Sequence, residues 1–187
     1  KTFTMGKDTL QTIQNTRYVS KDGVIGGTGL NLMSPMAWSK AITWANENTT
    51  GPTRTLVLVE NINLGETVEV KAPMVLRSIG SYSLTLTKNL QTTGFIQVRV
   101  GTNYNNNSII YYGSLTLEDI TITANPGVWA QKGLVDVQSS DNEDIPVLVL
   151  GSGAVLTGHV GSNYARGGGI YANYARVVLA SGSKITG

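Results

Sequence analysis

The residues that could do chemistry are few. The one histidine, His159, lies in Gly158-His159-Val160, and six carboxylates fall in the central stretch: Glu118, Asp119, Asp136, Asp141, Glu143 and Asp144. Inverting glycoside hydrolysis needs an acid and a base about 6.5–9.5 Å apart, yet no Asp-Asp pair occurs and His159 has no companion, so it reads as a solvated turn residue. Lyase chemistry beside a uronate carboxyl needs several carboxylates around a cation and a basic residue as proton acceptor. Asp141, Glu143 and Asp144, in the polar loop from Ser139 to Ile145, offer oxygen ligands that Ca²⁺ accepts. Their spacing lacks the glycine and ligand series of an EF-hand loop, and the segment reads as a solvated acidic loop. Gly26-Gly27-Thr28-Gly29 has neither the Lys-Ser/Thr of a phosphate loop nor a dinucleotide fingerprint, and reads as a flexible connection. Without a Gly-x-Ser-x-Gly elbow or a cysteine, acyl transfer is set aside.

The aromatic residues form a clearer pattern. Asn163-Tyr164-Ala165-Arg166 recurs as Asn173-Tyr174-Ala175-Arg176, and Asn103-Tyr104-Asn105 is a third Tyr-Asn segment. Tyrosine faces stack on sugar rings while Asn and Arg supply directional hydrogen bonds, which makes Tyr104, Tyr164, Arg166, Tyr174 and Arg176 candidate saccharide contacts. The competing reading has the same tyrosines covering the sides of the fold or anchoring turns.

Composition narrows the classes. Charged residues make up only 14% against about 25% in ordinary soluble domains, so the surface is polar but largely uncharged. A net charge of +2 without a Lys/Arg run gives no electrostatic footprint for nucleic acid. Zero cysteines exclude a disulfide framework and a thiolate metal site. There is no 18-residue apolar run for membrane insertion and no signal peptide at Lys1, so an export signal is expected upstream.

The elements that must carry these residues follow from periodicity. Residues 1–33 read as an irregular lead-in. Ser34-Pro35 is expected to open a helix, Ser as N-cap and Pro at the first helical position, running to about Asn48 within a segment 34–52. Ala37, Trp38, Ala41, Ile42, Trp44 and Ala45 fall on one side of it, with Ser39, Lys40, Thr43, Asn46 and Glu47 on the other. A helix this short needs an apolar surface to rest on, and the open end of a stacked β-array provides one. From Thr53 to Gly187 short apolar or alternating runs, such as Leu56–Val59, Thr67–Val70 and Phe95–Val100, are separated by turn residues. No helical crossover lies between them, which disfavours a βαβ fold.

Repetition selects the architecture. Leu148 to Gly158 recurs as Val177 to Gly187 at an offset of 29 residues, taken as one coil. A solenoid requires such recurrence because each coil presents the same inward residues to the next.

Leu115-Thr116-Leu117-Glu118-Asp119-Ile120-Thr121-Ile122 resembles the L-x-L-x-N-I-x-I corner of pectin-lyase-like parallel β-helices, with Asp119 where that family has Asn. Gly167-Gly168-Gly169-Ile170-Tyr171 and the Ser-Gly-Ser-Lys-Ile-Thr-Gly that follows resemble repeats of bacterial adhesin-like and polymorphic outer-membrane passenger proteins. The resemblance implies an all-β, right-handed parallel β-helix, capped at its N-terminal end by the helix, and an Asp119 that accepts hydrogen bonds in a turn ladder. The chain stops at Ile185-Thr186-Gly187 within an ordinary repeat, which reads as an array truncated at its C-terminus. The functional expectation is a non-catalytic structural or adhesive module of a bacterial secreted or cell-surface protein, with no cofactor. Its expected partners are host or bacterial glycans or surface proteins, not nucleic acid. The alternative is a carbohydrate-active enzyme of the same fold, a polysaccharide lyase or glycoside hydrolase.

Overall fold

A computed structural model describes residues 14–49, 51–102, 110–139, 145–158 and 168–186. Parallel strands cannot be joined by a tight hairpin; each pair needs a crossover of a dozen or more residues. In this chain the crossovers are themselves strands. A coil runs through one strand of each of three sheets and returns one rung further along the axis.

The first full coil comprises β3 (Arg54–Leu58), β4 (Ile62–Leu64) and β5 (Val68–Val70). The second comprises β6 (Pro73–Ser78), β7 (Ser83–Leu86) and β8 (Ile96–Thr102), and β9 (Ile110–Tyr112) adds an antiparallel pairing to β8. The third is β10 (Ser114–Glu118), β11 (Thr121–Ala124) and β12 (Val135–Ser139). A fourth follows as β13 (Val147–Leu150), β14 (Val155–Thr157) and β15 (Ile170–Asn173), then β16 (Arg176–Leu179) and β17 (Lys184–Ile185). The architecture is the all-β parallel β-helix that the repeats predict.

Alternation builds the core. Because successive side chains point to opposite faces of a strand, every second residue faces inward. Leu56, Leu76, Leu117 and Leu150 stack in register in the first sheet, and Ile62, Leu84, Ile122 and Leu156 in the second. Val70, Val98 and Val137 do the same in the third, and all eleven of these residues are buried. The 29-residue offset is the true register of the last rung, where Leu148 pairs with Val177 and Leu156 with Ile185.

It is not a general coil length. Register advances 20 residues from Arg54 to Met74, 41 from Met74 to Leu115 and 33 from Leu115 to Leu148. Most of the variation lies at two corners. Between the first and second sheets only two to four residues intervene, whereas two to twelve separate the strands at the other two corners. The short corner recurrently holds a residue with positive φ: Ser81, Asp119, Gly153 and Gly182. Asp119 thus fits its position through backbone conformation, which Asp tolerates better than most residues. Its N–H donates to the Ser152 carbonyl at 3.0 Å, and its own carbonyl accepts from Ser78 Oγ at 2.6 Å.

The lead-in is more ordered than its composition implies. β1 (Thr16–Ser20) pairs with β3 as a further rung of the first sheet, and β2 (Met36–Ala37) pairs with β1. The glycine-rich stretch is a hydrogen-bonded loop rather than a loose connection: the Tyr18 N–H bonds Gly29 O, and the Gly29 N–H bonds Ser34 O, both at 2.8 Å. This pairing also moves the helix start. Met36 and Ala37 are committed to the sheet, so α1 covers only Trp38–Asn46, with Ala37 at the N-cap position and the Trp38 N–H donating to Lys21 O. Ser34, expected as the cap, accepts the Thr28 N–H on its hydroxyl instead.

The helix packs against β1, β2, β3 and β5, across the end of the first coil, with Trp38, Ala41 and Ala45 buried. The guanidinium groups of Arg17 and Arg54 lie 4.4 and 4.3 Å from the centre of the Trp44 ring, and Arg54 also donates to the Trp44 carbonyl. Burial, and then the neighbouring Arg54 charge, lower the Arg17 pKa from its ordinary value. Asn46, assigned by the helical wheel to the polar side, faces the edge of the third sheet. Its amide donates to Glu69 O and accepts the Lys71 N–H, both at 2.8 Å, supplying the two bonds that another strand would make to β5.

Candidate functional site

The third sheet carries the most chemically varied outer face among the described residues. Where Val68, Val70, Ile96, Val98, Val135 and Val137 point inward, the residues between them point outward. One outward row is Glu69, Gln97, Asp136 and Tyr171, and beside it stand Arg99, Gln138 and Asn173, all set by the parallel register. Adjacent rungs lie about 4.8 Å apart, close enough for their side chains to bond directly.

Asp136 is the centre of this face. Its side chain has no exposed surface, unusual for an outward carboxylate on a sheet. A buried charge is tolerated only when it is paired and hydrogen-bonded. Gln97 Nε2 donates to Oδ2 at 3.1 Å, Arg99 Nη2 to the same oxygen at 3.3 Å, and Gln138 Nε2 to Oδ1. Lys132 Nζ lies 4.0 Å from Oδ2 and 5.6 Å from the centre of the Tyr171 ring. A Cβ at Gly94 would overlap the Asp136 side chain, so glycine makes room for the carboxylate. At the far edge Glu69 pairs with Lys71 at 2.5 Å.

This arrangement is poor at proton transfer and good at fixing cations. Both Asp136 oxygens are engaged by donors, and the carboxylate holds the heads of Arg99 and Lys132 above a rigid sheet. Glu118 and Asp119, grouped with Asp136 by sequence proximity, lie elsewhere: Glu118 stands beside Arg77 on the first sheet, and Asp119 occupies the short corner. No group of three or more His, Asp or Glu residues suited to a metal occurs among the described residues.

Of the candidate saccharide contacts, Tyr174 and Arg176 fall within the described residues. Tyr174 occupies the turn between β15 and β16 with φ of 49°, 59% exposed. Arg176 opens β16 with an exposed side chain, and its N–H donates to Pro146 O at 2.9 Å. Tyr104, Tyr164 and Arg166 lie outside the described residues, as do His159 and the carboxylates Asp141, Glu143 and Asp144. Sequence reasoning missed Gln97, Arg99, Lys132, Gln138 and Tyr171 as a group. The available signal was the polar residue alternating with Ile or Val in Ile96–Val100 and again in Val135–Gln138, which registers as one outward face once the coils are aligned. Comparison with protein-family models, curated proteins and solved structures finds no match.

Proposed function

We propose that this chain is a non-catalytic structural and adhesive module of a bacterial secreted or surface-displayed protein, a rigid solenoid that holds a saccharide against the outer face of its third sheet. The observation that carries the reading is the register of Arg99, Gln138, Tyr171 and Asn173 on one face, with Tyr174 exposed at its corner. Amides, a guanidinium and aromatic rings fixed on stacked strands are the groups that recognise sugars without ordering a loop. A surface low in charge and rich in Thr, Ser and Asn supports placement outside the cell. The adhesin-like resemblance of the Gly167–Tyr171 repeat belongs to the same reading.

A catalytic role on this face would require an acid or base free to exchange a proton, and Asp136 is held by three donors. The test joins glycan-array binding of the chain to a turnover assay on pectin, alginate and chondroitin, with and without Ca²⁺. The expected result is binding that disappears in Tyr171→Ala and in the Tyr164→Ala, Tyr174→Ala double variant, without turnover. A measurable rate abolished by Asp136→Ala would overturn it in favour of a polysaccharide lyase or hydrolase.

A further inference from the structure

The donors and acceptors around Asp136 do not balance. Both carboxylate oxygens are engaged: Oδ2 accepts from Gln97 and Arg99, and Oδ1 from Gln138. The donors are less fully used. Lys132 Nζ has no hydrogen-bond acceptor among the described residues, only the carboxylate at 4.0 Å and the Tyr171 ring. Arg99 spends one nitrogen on Asp136, and its Nε and Nη1 have no acceptor there either. Among the described residues, two cationic heads therefore converge on one carboxylate oxygen, leaving one positive charge in excess and several N–H groups unspent.

Both cations are only partly exposed, at 33% for the Arg99 side chain and 24% for Lys132. A partly desolvated cation attracts an anion more strongly than one in open water, because the effective dielectric is lower. Their aim is also fixed in advance. The buried carboxylate and the Tyr171 ring restrain long side chains that would otherwise lose rotamer freedom on binding.

We propose that the outer face of the third sheet binds the anionic oxygen group of an acidic saccharide, a carboxylate or a sulfate ester, with Arg99 and Lys132 as the residues that read it. The inference rests on the saccharide-binding reading and specifies its ligand class. The hydroxyls of a neutral sugar can accept from these donors but leave the excess charge unmatched. An oxyanion accepts from both cations at once, and charge-assisted hydrogen bonds are about twice as strong as neutral ones.

Isothermal titration of the full chain with three probes tests this: dextran as the neutral polymer, polygalacturonate oligomers carrying only carboxylates, and dextran sulfate carrying only sulfates. One or both acidic probes should bind at least about tenfold more tightly than dextran, and the advantage should shrink as salt screens the site. Lys132→Gln should remove most of that advantage, Lys132→Arg should restore it, and thermal melting should show all variants folded. Whichever acidic probe binds identifies the oxyanion. Equal affinity for dextran and the acidic probes, or an acidic preference untouched by Lys132→Gln, overturns this inference and leaves the saccharide reading standing. If Lys132→Gln does not fold, Arg99→Gln takes its place with the same expectations. Failure of all three probes and of the glycan array overturns both.

Discussion

The two ends of the solenoid contain the same kind of residue on their strands and treat it differently. At the N-terminal end Leu56 and Leu58 are fully buried, because β1 and α1 lie over them. At the other end Leu179 and Ile185 are 59% and 46% exposed, although they pair with Leu150 and Leu156, which have no exposed surface. Burial in this fold thus requires a neighbouring layer as well as an inward direction. A residue gains its full hydrophobic stabilisation only when covered on both axial sides, which is why stability in stacked repeats is close to a sum of interface contributions.

Substitutions along the stack sharpen this contrast. The largest effect belongs to the interior: Leu117→Ala, with Leu76 and Leu150 above and below, should lower the unfolding free energy by about 3 kcal/mol in urea denaturation. A loss under about 1 kcal/mol there would show that the interior rungs are no better packed than the end.

Asn46→Ala should have an intermediate effect, about 1–2 kcal/mol, since it strands the Glu69 carbonyl and the Lys71 N–H on the edge of the third sheet. It should also speed hydrogen exchange of the Lys71 amide and promote self-association on size-exclusion chromatography, because an uncovered edge invites strand pairing. An unchanged exchange rate would mean that the backbone of β5 is protected by something other than the Asn46 amide.

Ile185→Ala should be the mildest, about 0.5 kcal/mol or less, because much of the side chain is already in water. Native-state exchange should likewise find amides of 176–186 opening before those of 115–122. Equal protection in dilute monomer would erase the distinction between the two ends.

How far these features can be read from sequence depends on whether they are local or axial. Strand positions declare themselves as short apolar runs, as at Leu56–Leu58, or by alternation, as at Leu115–Leu117, and the last rung by its recurrence. The helix is legible from Trp38, Ala41 and Ala45, while its start is not, because Met36 and Ala37 pair with Val19 and Ser20, seventeen residues away. Asp136 was hardest to place. In Val135-Asp136-Val137 it looks like any outward carboxylate, and the groups that bury it, Gln97 and Arg99, lie one coil earlier. The spacing between coils varies from 20 to 41 residues, so no fixed period in the sequence brings those residues into line.

That uneven spacing has a consequence for how such a protein can change. The corner between the first and second sheets is nearly invariant in length and marked by Ser81, Asp119, Gly153 and Gly182, while the other two corners absorb most of the difference between coils. The chain is therefore divided into a metronome and two margins. New sequence can be written into the margins, for example between β7 and β8, where nine residues already intervene, without shifting any rung of the stack. A grafted epitope at that point would be displayed beside the third sheet at a known height along the axis, so the solenoid can serve as a ruler on which recognition elements are set by coil number.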